Sequence, residues 1–183
     1  MRKRSCFAAF GLLLALVSAH SQGLYGIAQA GTPQDMQAAI DKGANVNEAV
    51  GGMTPLIIAA WYNKDPEVIT MLVKAGADIE ARDSVHGKTA LLWAAYANPN
   101  PEVTAALLKA GADLEARDKV DGMTALMWAI QFNKNLDVIT VLLNAGADAK
   151  AKDQVGLTTL DYAQARRNLK GTDVLRKLEE ASR

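Results

Sequence analysis

The apolar positions along this 183-residue chain repeat at an interval of 35 residues. Thr54, Thr89 and Thr124 each stand before an apolar run, and Thr158 follows at an interval of 34. Glycines within the sequence AGAD keep the same interval at Gly76, Gly111 and Gly146, and Gly43 in KGAN begins that series one unit earlier. A period of this length is typical of stacked repeats that bury their apolar faces against one another. The spacing predicts five successive units.

Each unit is predicted to contain two short helices. Thr54-Pro55 places a capping hydroxyl before a proline at the first helical position, where the missing N–H is no loss. Asp65-Pro66 starts the second helix in the same way, and Gly76 ends it. The same capping role is assigned to Thr32, Asn100 and Asn135. Each unit is therefore a helix, a turn, a second helix and an extended connection.

The first helix of each unit is predicted to end at an asparagine, at Asn63, Asn98 and Asn133. Asparagine tolerates the left-handed backbone conformation that closes many helices. We expect these residues to adopt it.

The units share several residues in register. They are a Gly-x-Thr-Pro/Ala-Leu opening, the small pairs Ala59-Ala60 and Ala94-Ala95, an Ala-Gly-Ala-Asp close, and Asp83, Asp118 and Asp153 at the ends of the connections. In these residues the chain resembles the ankyrin-repeat family, from about Leu24 to Leu178. The resemblance implies an all-α fold, an ankyrin-repeat solenoid of helix-turn-helix units joined by short β-hairpin-like connections.

The chain departs from the family pattern in two ways. The histidine that usually follows Thr-Pro-Leu is replaced by Ile57, Leu92, Met127 and Asp161. The hydrogen-bond bridge between helix and loop that this histidine would make is therefore expected to be absent, with apolar packing in its place. Each full unit is also two residues longer than the family period of about 33, and we expect the extra residues in the turn and in the connection.

The N-terminus has the layout of a secretory signal peptide. Three basic residues precede an apolar stretch from Cys6 to Val17 that is too short to span a bilayer, and small residues at Val17-Ser18-Ala19 suit cleavage after Ala19, with Ser21 as the alternative. An uncleaved anchor is the other interpretation of this segment. Cys6 is the only cysteine, so the mature chain is expected to contain no disulfide.

These signals predict the domain organisation. A signal peptide occupies residues 1–19 and an ankyrin-repeat array occupies residues 22–183. The array consists of an N-terminal cap unit (22–48), three full repeats (49–83, 84–118 and 119–153) and a C-terminal cap unit (154–183).

The charge balance argues against nucleic acids and anionic membranes as partners. The whole chain has 20 basic and 20 acidic side chains, and removal of Arg2, Lys3 and Arg4 with the signal peptide leaves 17 against 20. Proteins that bind nucleic acid neutralise phosphates with a basic surface, which a mildly acidic chain does not supply. Neither nucleic-acid binding nor membrane insertion after cleavage is expected.

Catalysis is not expected either. The chain has only two histidines, His20 beside the cleavage site and His86, and neither lies in a catalytic or metal-binding motif. Asp78, Asp113 and Asp148 recur at 35 residues, but they occupy framework positions of the AGAD close. We predict no enzyme activity, no cofactor and no metal.

The connections supply the first set of candidate binding residues, because their sequences vary between units while the framework does not. The candidates are Arg82, His86, Lys88, Arg117, Lys119, Asp121 and Met123. By the resemblance, the tips of such connections commonly contact partners. Valines that recur strictly at the repeat interval are instead interpreted as packing residues: Val50, Val85, Val120 and Val155.

Aromatic residues on the first helices supply the second set. Leu56, Ala59 and Ala60 share one helical face, which would leave Ile58, Trp61 and Tyr62 on the other. Aromatic side chains of this kind dominate binding energy at protein interfaces. The binding candidates are Trp61, Tyr62, Tyr96 and Phe132. Trp93 and Trp128 are either inter-repeat packing, which we favour, or binding surface.

The sequence thus predicts an exported, monomeric ankyrin-repeat module, periplasmic or secreted, that binds a protein partner through its concave helical face and its tips. The alternative is a stabilising or immunity-like subunit dedicated to one exported enzyme. The sequence does not separate these roles, because a fold does not by itself define a function.

Overall fold

The computed structural model describes residues 23–182. The predicted signal peptide, with Cys6, His20 and both cleavage positions, lies outside the described residues. Within residues 23–182 the chain forms ten α-helices and one 3-10 turn. The helices are α1 (Leu24–Ala30), α2 (Pro33–Asp41), α3 (Pro55–Tyr62), α4 (Pro66–Lys74), α5 (Ala90–Ala97), α6 (Pro101–Lys109), α7 (Ala125–Phe132), α8 (Asp137–Asn144), α9 (Thr159–Ala165) and α10 (Asp173–Ala181), with the 3-10 turn Arg167–Leu169 before α10. No helix in this part of the chain is both long and apolar enough to cross a membrane.

The helices stack in two rows. The odd-numbered helices α1 to α9 form one row, here called the first row, and the even-numbered helices α2 to α10 form the second row. Each helix contacts its partner in the same unit and its neighbours in the same row. This arrangement confirms the predicted all-α repeat solenoid.

The connections are less regular than β-hairpins. In the described part of the chain, strand-like pairing is limited to single bridges between Val50 and Met53 and between Lys152 and Thr158. The polypeptide turns tightly instead, with backbone hydrogen bonds from Asp83 N–H to Lys88 O and from Asp118 N–H to Met123 O.

The predicted caps of the second unit are confirmed. The Thr54 hydroxyl accepts a hydrogen bond from Ile57 N–H at the start of α3, and Asp65 Oδ1 accepts one from Glu67 N–H at the start of α4. Gly76 follows α4 with φ of +92°, the left-handed conformation that glycine adopts without steric cost.

The other predicted caps are also confirmed, although one helix begins a residue later than predicted. Thr32 caps α2 and Asn100 caps α6 through their side chains. Asn135 Oδ1 accepts a hydrogen bond from Asp137 N–H (3.0 Å), but Leu136 directly precedes α8, so this helix begins one residue later than predicted.

The first helices of the full units end at Asn63, Asn98 and Asn133 as predicted, but the expected left-handed conformation of these residues is wrong. Asn63 and Asn98 have φ of −76° and −75° with extended ψ, because each side chain is engaged with the preceding unit. Asn98 Nδ2 donates to Ala60 O (2.9 Å) and Asn63 O (2.7 Å), and its Oδ1 accepts from Asn100 N–H (2.9 Å). Asn63 and Asn133 make the corresponding bonds in the neighbouring units. Arg166 ends this series by donating to Ile130 O and Asn133 O.

The first-row helices α3, α5 and α7 are buried over their first six residues. In α3 every residue from Pro55 to Ala60 is buried, including Ile58, which the sequence placed on an outward face. That two-face assignment is wrong because three sides of α3 are covered. The helices α1 and α5 flank it on two sides, and α4 packs against a third side. Apolar packing at the position of the missing histidine is confirmed, since Ile57, Leu92 and Met127 are fully buried.

Candidate functional site

A buried aspartate organises each tip, where the tips are residues 82–88, 117–123 and 152–157. Asp83 is 3% exposed. Its Oδ1 accepts hydrogen bonds from the N–H groups of Val85 (2.9 Å) and His86 (2.6 Å), and its Oδ2 accepts one from Lys88 N–H (2.8 Å). Asp118 accepts the equivalent three bonds in the next tip. The tips are thus held by charge-assisted bonds to their own backbone.

The tip aspartates are also bridged to the first-row helices. Trp93 Nε1 donates to Asp83 Oδ2 (3.0 Å), Trp128 Nε1 donates to Asp118 Oδ2 (2.9 Å), and the Tyr162 hydroxyl donates to Asp153. A helix-to-loop bridge is therefore present, although the position of the missing histidine does not make it. The residue one position after the missing histidine supplies it, and the recurring ten-residue spacing from Asp83 to Trp93 and from Asp118 to Trp128 is the sequence signal for it.

These contacts set the ionisation of Asp83. Burial raises the pKa of its carboxyl group, but the hydrogen bonds from the His86 and Lys88 N–H groups, the Trp93 indole and the Val85 N–H outweigh burial, so the pKa is lower than usual. Asp83 is consequently a buried carboxylate, and each of its two oxygens accepts two hydrogen bonds.

Neighbouring tips are joined to one another. The N–H groups of Ser84, Lys119 and Gln154 donate to the carbonyls of Gly52, His86 and Asp121, respectively. The Arg82 guanidinium donates to Gly87 O in its own tip and to Arg117 O in the next, and Arg117 repeats this pattern with Gly122 O and Lys152 O. Arg82 and Arg117, both binding candidates, therefore also hold the tips together.

Aromatic side chains from three first-row helices form one connected group, here called the aromatic cluster: Trp61, Tyr62, Trp93, Tyr96, Trp128 and Phe132. Trp61 stacks on Trp93 of the next unit with ring centroids 4.0 Å apart. Tyr96 meets Trp128 and Phe132 edge to face at 5.5 and 5.3 Å. Such pairs add to the energy of burial and hold the rings in one arrangement.

Exposure differs across the aromatic cluster. Trp93 and Trp128 are 3% and 7% exposed, which confirms the favoured interpretation that they pack between repeats. Phe132 is 46% exposed, whereas the other binding candidates of the cluster are half-buried: Trp61, Tyr62 and Tyr96. Burial is the main cause that raises the pKa of both tyrosines, so their hydroxyls are neutral donors at pH 7.

Two tip candidates are not on the surface. Met123 is 2% exposed and Lys88 is 4% exposed, so both side chains lie beneath their tips and not on the surface where the sequence analysis placed them. Each points beneath its tip because it directly precedes a buried first-row helix. The Lys88 ammonium lies 3.7 Å from the ring centroid of Trp128, 4.7 Å from that of Trp93 and 5.1 Å from that of Tyr96.

The other tip candidates remain accessible. Arg82, Arg117 and Lys119 are exposed, while His86 and Asp121 are half-buried. The His86 ring meets Trp93 edge to face at 5.9 Å, with Nδ1 3.6 Å from Asp83 Oδ1. These side chains form a polar border beside the aromatic cluster.

Three of the four repeating valines are exposed, which contradicts their interpretation as packing residues. Val85, Val120 and Val155 are 57%, 53% and 79% exposed, whereas Val50 is half-buried. The backbone N–H groups of the three exposed valines bond to the tip aspartates, which directs the side chains outward. Their strict 35-residue repetition was the reason for predicting a packing role, but repetition alone does not distinguish buried from exposed positions.

The acidic residues of the AGAD close have a structural role. Asp78 and Asp113 are exposed, and each accepts a hydrogen bond from the N–H group two residues later, on Glu80 and Glu115. Among residues 23–182, no group of three or more His, Cys, Asp or Glu side chains is placed to hold a metal ion.

Two stacked rows of helices, bonded tips and a partly exposed aromatic cluster define a helical-repeat scaffold. Comparison with models of protein families finds ankyrin repeats in three copies, over residues 62–153 and 91–179. The chain therefore belongs to the ankyrin-repeat family. A search of curated proteins gave no match. Ankyrin repeats are generally protein–protein interaction modules, and the family is typically non-enzymatic.

Proposed function

We propose that the chain is an exported, non-catalytic binding module that recognises one protein partner through the aromatic cluster and the adjoining tips. Export rests on the basic and apolar N-terminal pattern with small residues up to Ala19. The binding surface rests on the arrangement of the described side chains.

The observation that carries the proposal is the exposure of Phe132 within the aromatic cluster. Phe132 is 46% exposed, although it lies 5.2 Å from the ring of Trp128 and 5.3 Å from that of Tyr96. An exposed aromatic ring backed by packed rings loses little conformational freedom when a partner covers it, which favours tight association.

The tips add polar and apolar contacts beside these rings. The hydrogen bond from Lys119 N–H to His86 O joins two of the tips, and Asp121 is held in the second of these tips by its bond to Asp118. The exposed Val85 and Val120 stand in the same two tips. A surface that combines apolar anchors with a polar border is typical of protein-binding sites.

Replacement of Tyr62, Tyr96 and Phe132 by Ala should abolish partner capture. Truncation of a hot-spot aromatic residue costs about 2 kcal/mol or more in binding, roughly a thirtyfold loss of affinity each. The tagged chain would serve as bait in the export fraction of its native cell, with captured proteins identified by mass spectrometry and the affinity of the purified partner measured by calorimetry.

A matched triple variant on the second row controls for the loss of half-buried apolar side chains: Val73→Ala, Leu108→Ala and Leu143→Ala. This control should capture the partner normally. Because Tyr62 and Tyr96 are half-buried, Phe132→Ala alone provides the test that least disturbs the fold. Undiminished affinity of Phe132→Ala and of the aromatic triple variant would refute the assigned surface.

A further inference from the structure

Lys88 occupies a position at which the fold does not require a charge. The residues 35 positions before and after it are Met53 and Met123, and both are 2% exposed. Lys88 is 4% exposed at the same place in its own unit. Methionine and lysine share an unbranched stem, so the apolar space beneath the tip is filled in either case. The ammonium group is an addition that packing does not explain.

Within the described part of the chain, the Lys88 ammonium has aromatic neighbours but no hydrogen-bonded or ion-paired partner. Trp93, Tyr96 and Trp128 surround Nζ with ring centroids 3.7 to 5.1 Å away. Among residues 23–182, no carboxylate lies within ion-pair distance of Nζ, and no acceptor takes a hydrogen bond from it. Nζ is nevertheless not sealed from solvent. Aromatic faces attract a cation, but they leave the three N–H donors of an ammonium without acceptors.

The nearest aspartates are already occupied. Asp83 accepts four hydrogen bonds, from the backbone of Val85, His86 and Lys88 and from the Trp93 indole. Asp118 likewise accepts four, three from its own tip and one from the Trp128 indole. A carboxylate has about four lone-pair sites, so neither aspartate has one left for Lys88. Burial lowers the pKa of Lys88, and the charges of Asp118, Asp83 and Asp121 oppose that effect.

We infer that Lys88 is an anion-recognition point within the partner-binding surface, and that it takes the carboxylate of an acidic side chain of the bound segment. This inference rests on the proposed function. The arriving carboxylate supplies the acceptors that the ammonium lacks. It pairs with Nζ at hydrogen-bond distance, where the attraction is strongest, while Asp118, Asp83 and Asp121 lie beyond ion-pair distance of Nζ.

A cationic partner group fits less well. It would have to expel the Lys88 ammonium from the aromatic rings, while the Lys88 backbone N–H stays bonded to Asp83 and the stem stays buried. A role for Lys88 as a structural counter-charge to the buried aspartates is also disfavoured. Asp153 is 9% exposed and has Leu157 in the corresponding position, directly before the capping Thr158, so a tip aspartate is accommodated without a lysine.

Lys88→Met tests the inference, because it restores the residue of the neighbouring repeats and removes only the charge. Lys109→Met, an exposed position at the end of α6, is the control for loss of a positive charge. A random dodecapeptide phage library serves as the probe. Each variant is selected against the library, and bound peptides are retained only if the Phe132→Ala chain fails to bind them. We expect Asp and Glu to be enriched at least about threefold at one position for the unsubstituted chain and for Lys109→Met, and not for Lys88→Met.

A double-substitution cycle then measures the contact. One selected peptide is synthesised with Glu and with Gln at the enriched position, and its affinity for each chain is measured from tryptophan fluorescence. Lys88→Met and the Glu→Gln change should each weaken binding about tenfold, and the two together should weaken it little further. The melting temperature of Lys88→Met should equal or exceed that of the unsubstituted chain, because an apolar replacement of a buried charge is neutral or stabilising.

Several results would overturn the inference. Enrichment of Lys and Arg, or tighter binding by Lys88→Met, would make the site a cation receptor. Independent, additive losses would show that Lys88 does not contact the acidic group. A melting temperature lower by more than about 4 °C would make Lys88 a structural counter-charge. Peptides that bind through Phe132 without acidic preference refute only this inference, whereas failure to select any Phe132-dependent peptide counts against the proposed function as well.

Discussion

Replacement of Asn98 by Ala should destabilise the repeat stack more than any change to an exposed polar residue. The Asn98 side chain is fully buried between the first-row helices α3 and α5. It donates to Ala60 O and Asn63 O and accepts from Asn100 N–H, all at 2.7 to 2.9 Å. Removing it therefore leaves three backbone groups without this partner, two of them in the preceding unit.

The expected loss follows from these three bonds. A buried backbone group left without a partner costs about 1–3 kcal/mol, so Asn98→Ala should lower the free energy of unfolding by roughly 3–5 kcal/mol after partial relaxation. With a urea m-value of about 2 kcal/mol per molar, the midpoint should fall by roughly 1.5–2.5 M. Because nearest-neighbour contacts dominate in repeat proteins, the transition should also broaden.

Urea titration followed by circular dichroism measures this loss, with Asn100→Ala as the matched control. Asn100 is half-buried, donates one bond to Lys64 O (2.6 Å) and caps α6 through Glu102 N–H (3.0 Å), so its loss should cost about 1 kcal/mol. Asn98→Asp keeps the acceptor for Asn100 N–H but removes both donors, and it should be at least as damaging as Asn98→Ala at pH 7. Equal midpoints for Asn98→Ala and Asn100→Ala would refute the assigned role of the buried amide.

Two further predictions concern acid stability and export. The folded-state pKa of Asp83 lies below its usual value of 3.8, so its stabilising contribution is present above that value and is lost as the pH falls through the folded pKa. The difference in melting temperature between the unsubstituted chain and Asp83→Asn should therefore be constant from pH 7 to about 5 and shrink below about pH 4, and a difference independent of pH would contradict the bonding described for Asp83. N-terminal sequencing of the exported protein should find a start at His20 or at Gln22, and a start at Gly31 or an uncleaved chain would contradict the proposed export.

The sequence alone determined the architecture of this protein, because the relevant signals are local. Thr54 and Asp65 cap helices within three residues of themselves, and Gly76 ends α4 in its own turn. Repetition of these signals at 35 residues predicted the stacking, since each unit needs a neighbour to bury its apolar face. The sequence also favoured a packing role for Trp93 and Trp128, but it did not decide between packing and binding.

The tertiary structure alone decided what each repeated polar or exposed residue does. Asn98 suits a left-handed helix end by local preference, but its actual conformation follows from acceptors on Ala60 and Asn63 of the preceding unit. Val85 repeats as regularly as a core residue and yet is 57% exposed, because the bonds to Asp83 turn the tip outward. From the sequence, Lys88 is expected on the surface, and only the rings of Trp93 and Trp128, contributed by two successive units, place its ammonium inside the aromatic cluster. Burial and bonding across units depend on residues tens of positions apart, which no local pattern encodes.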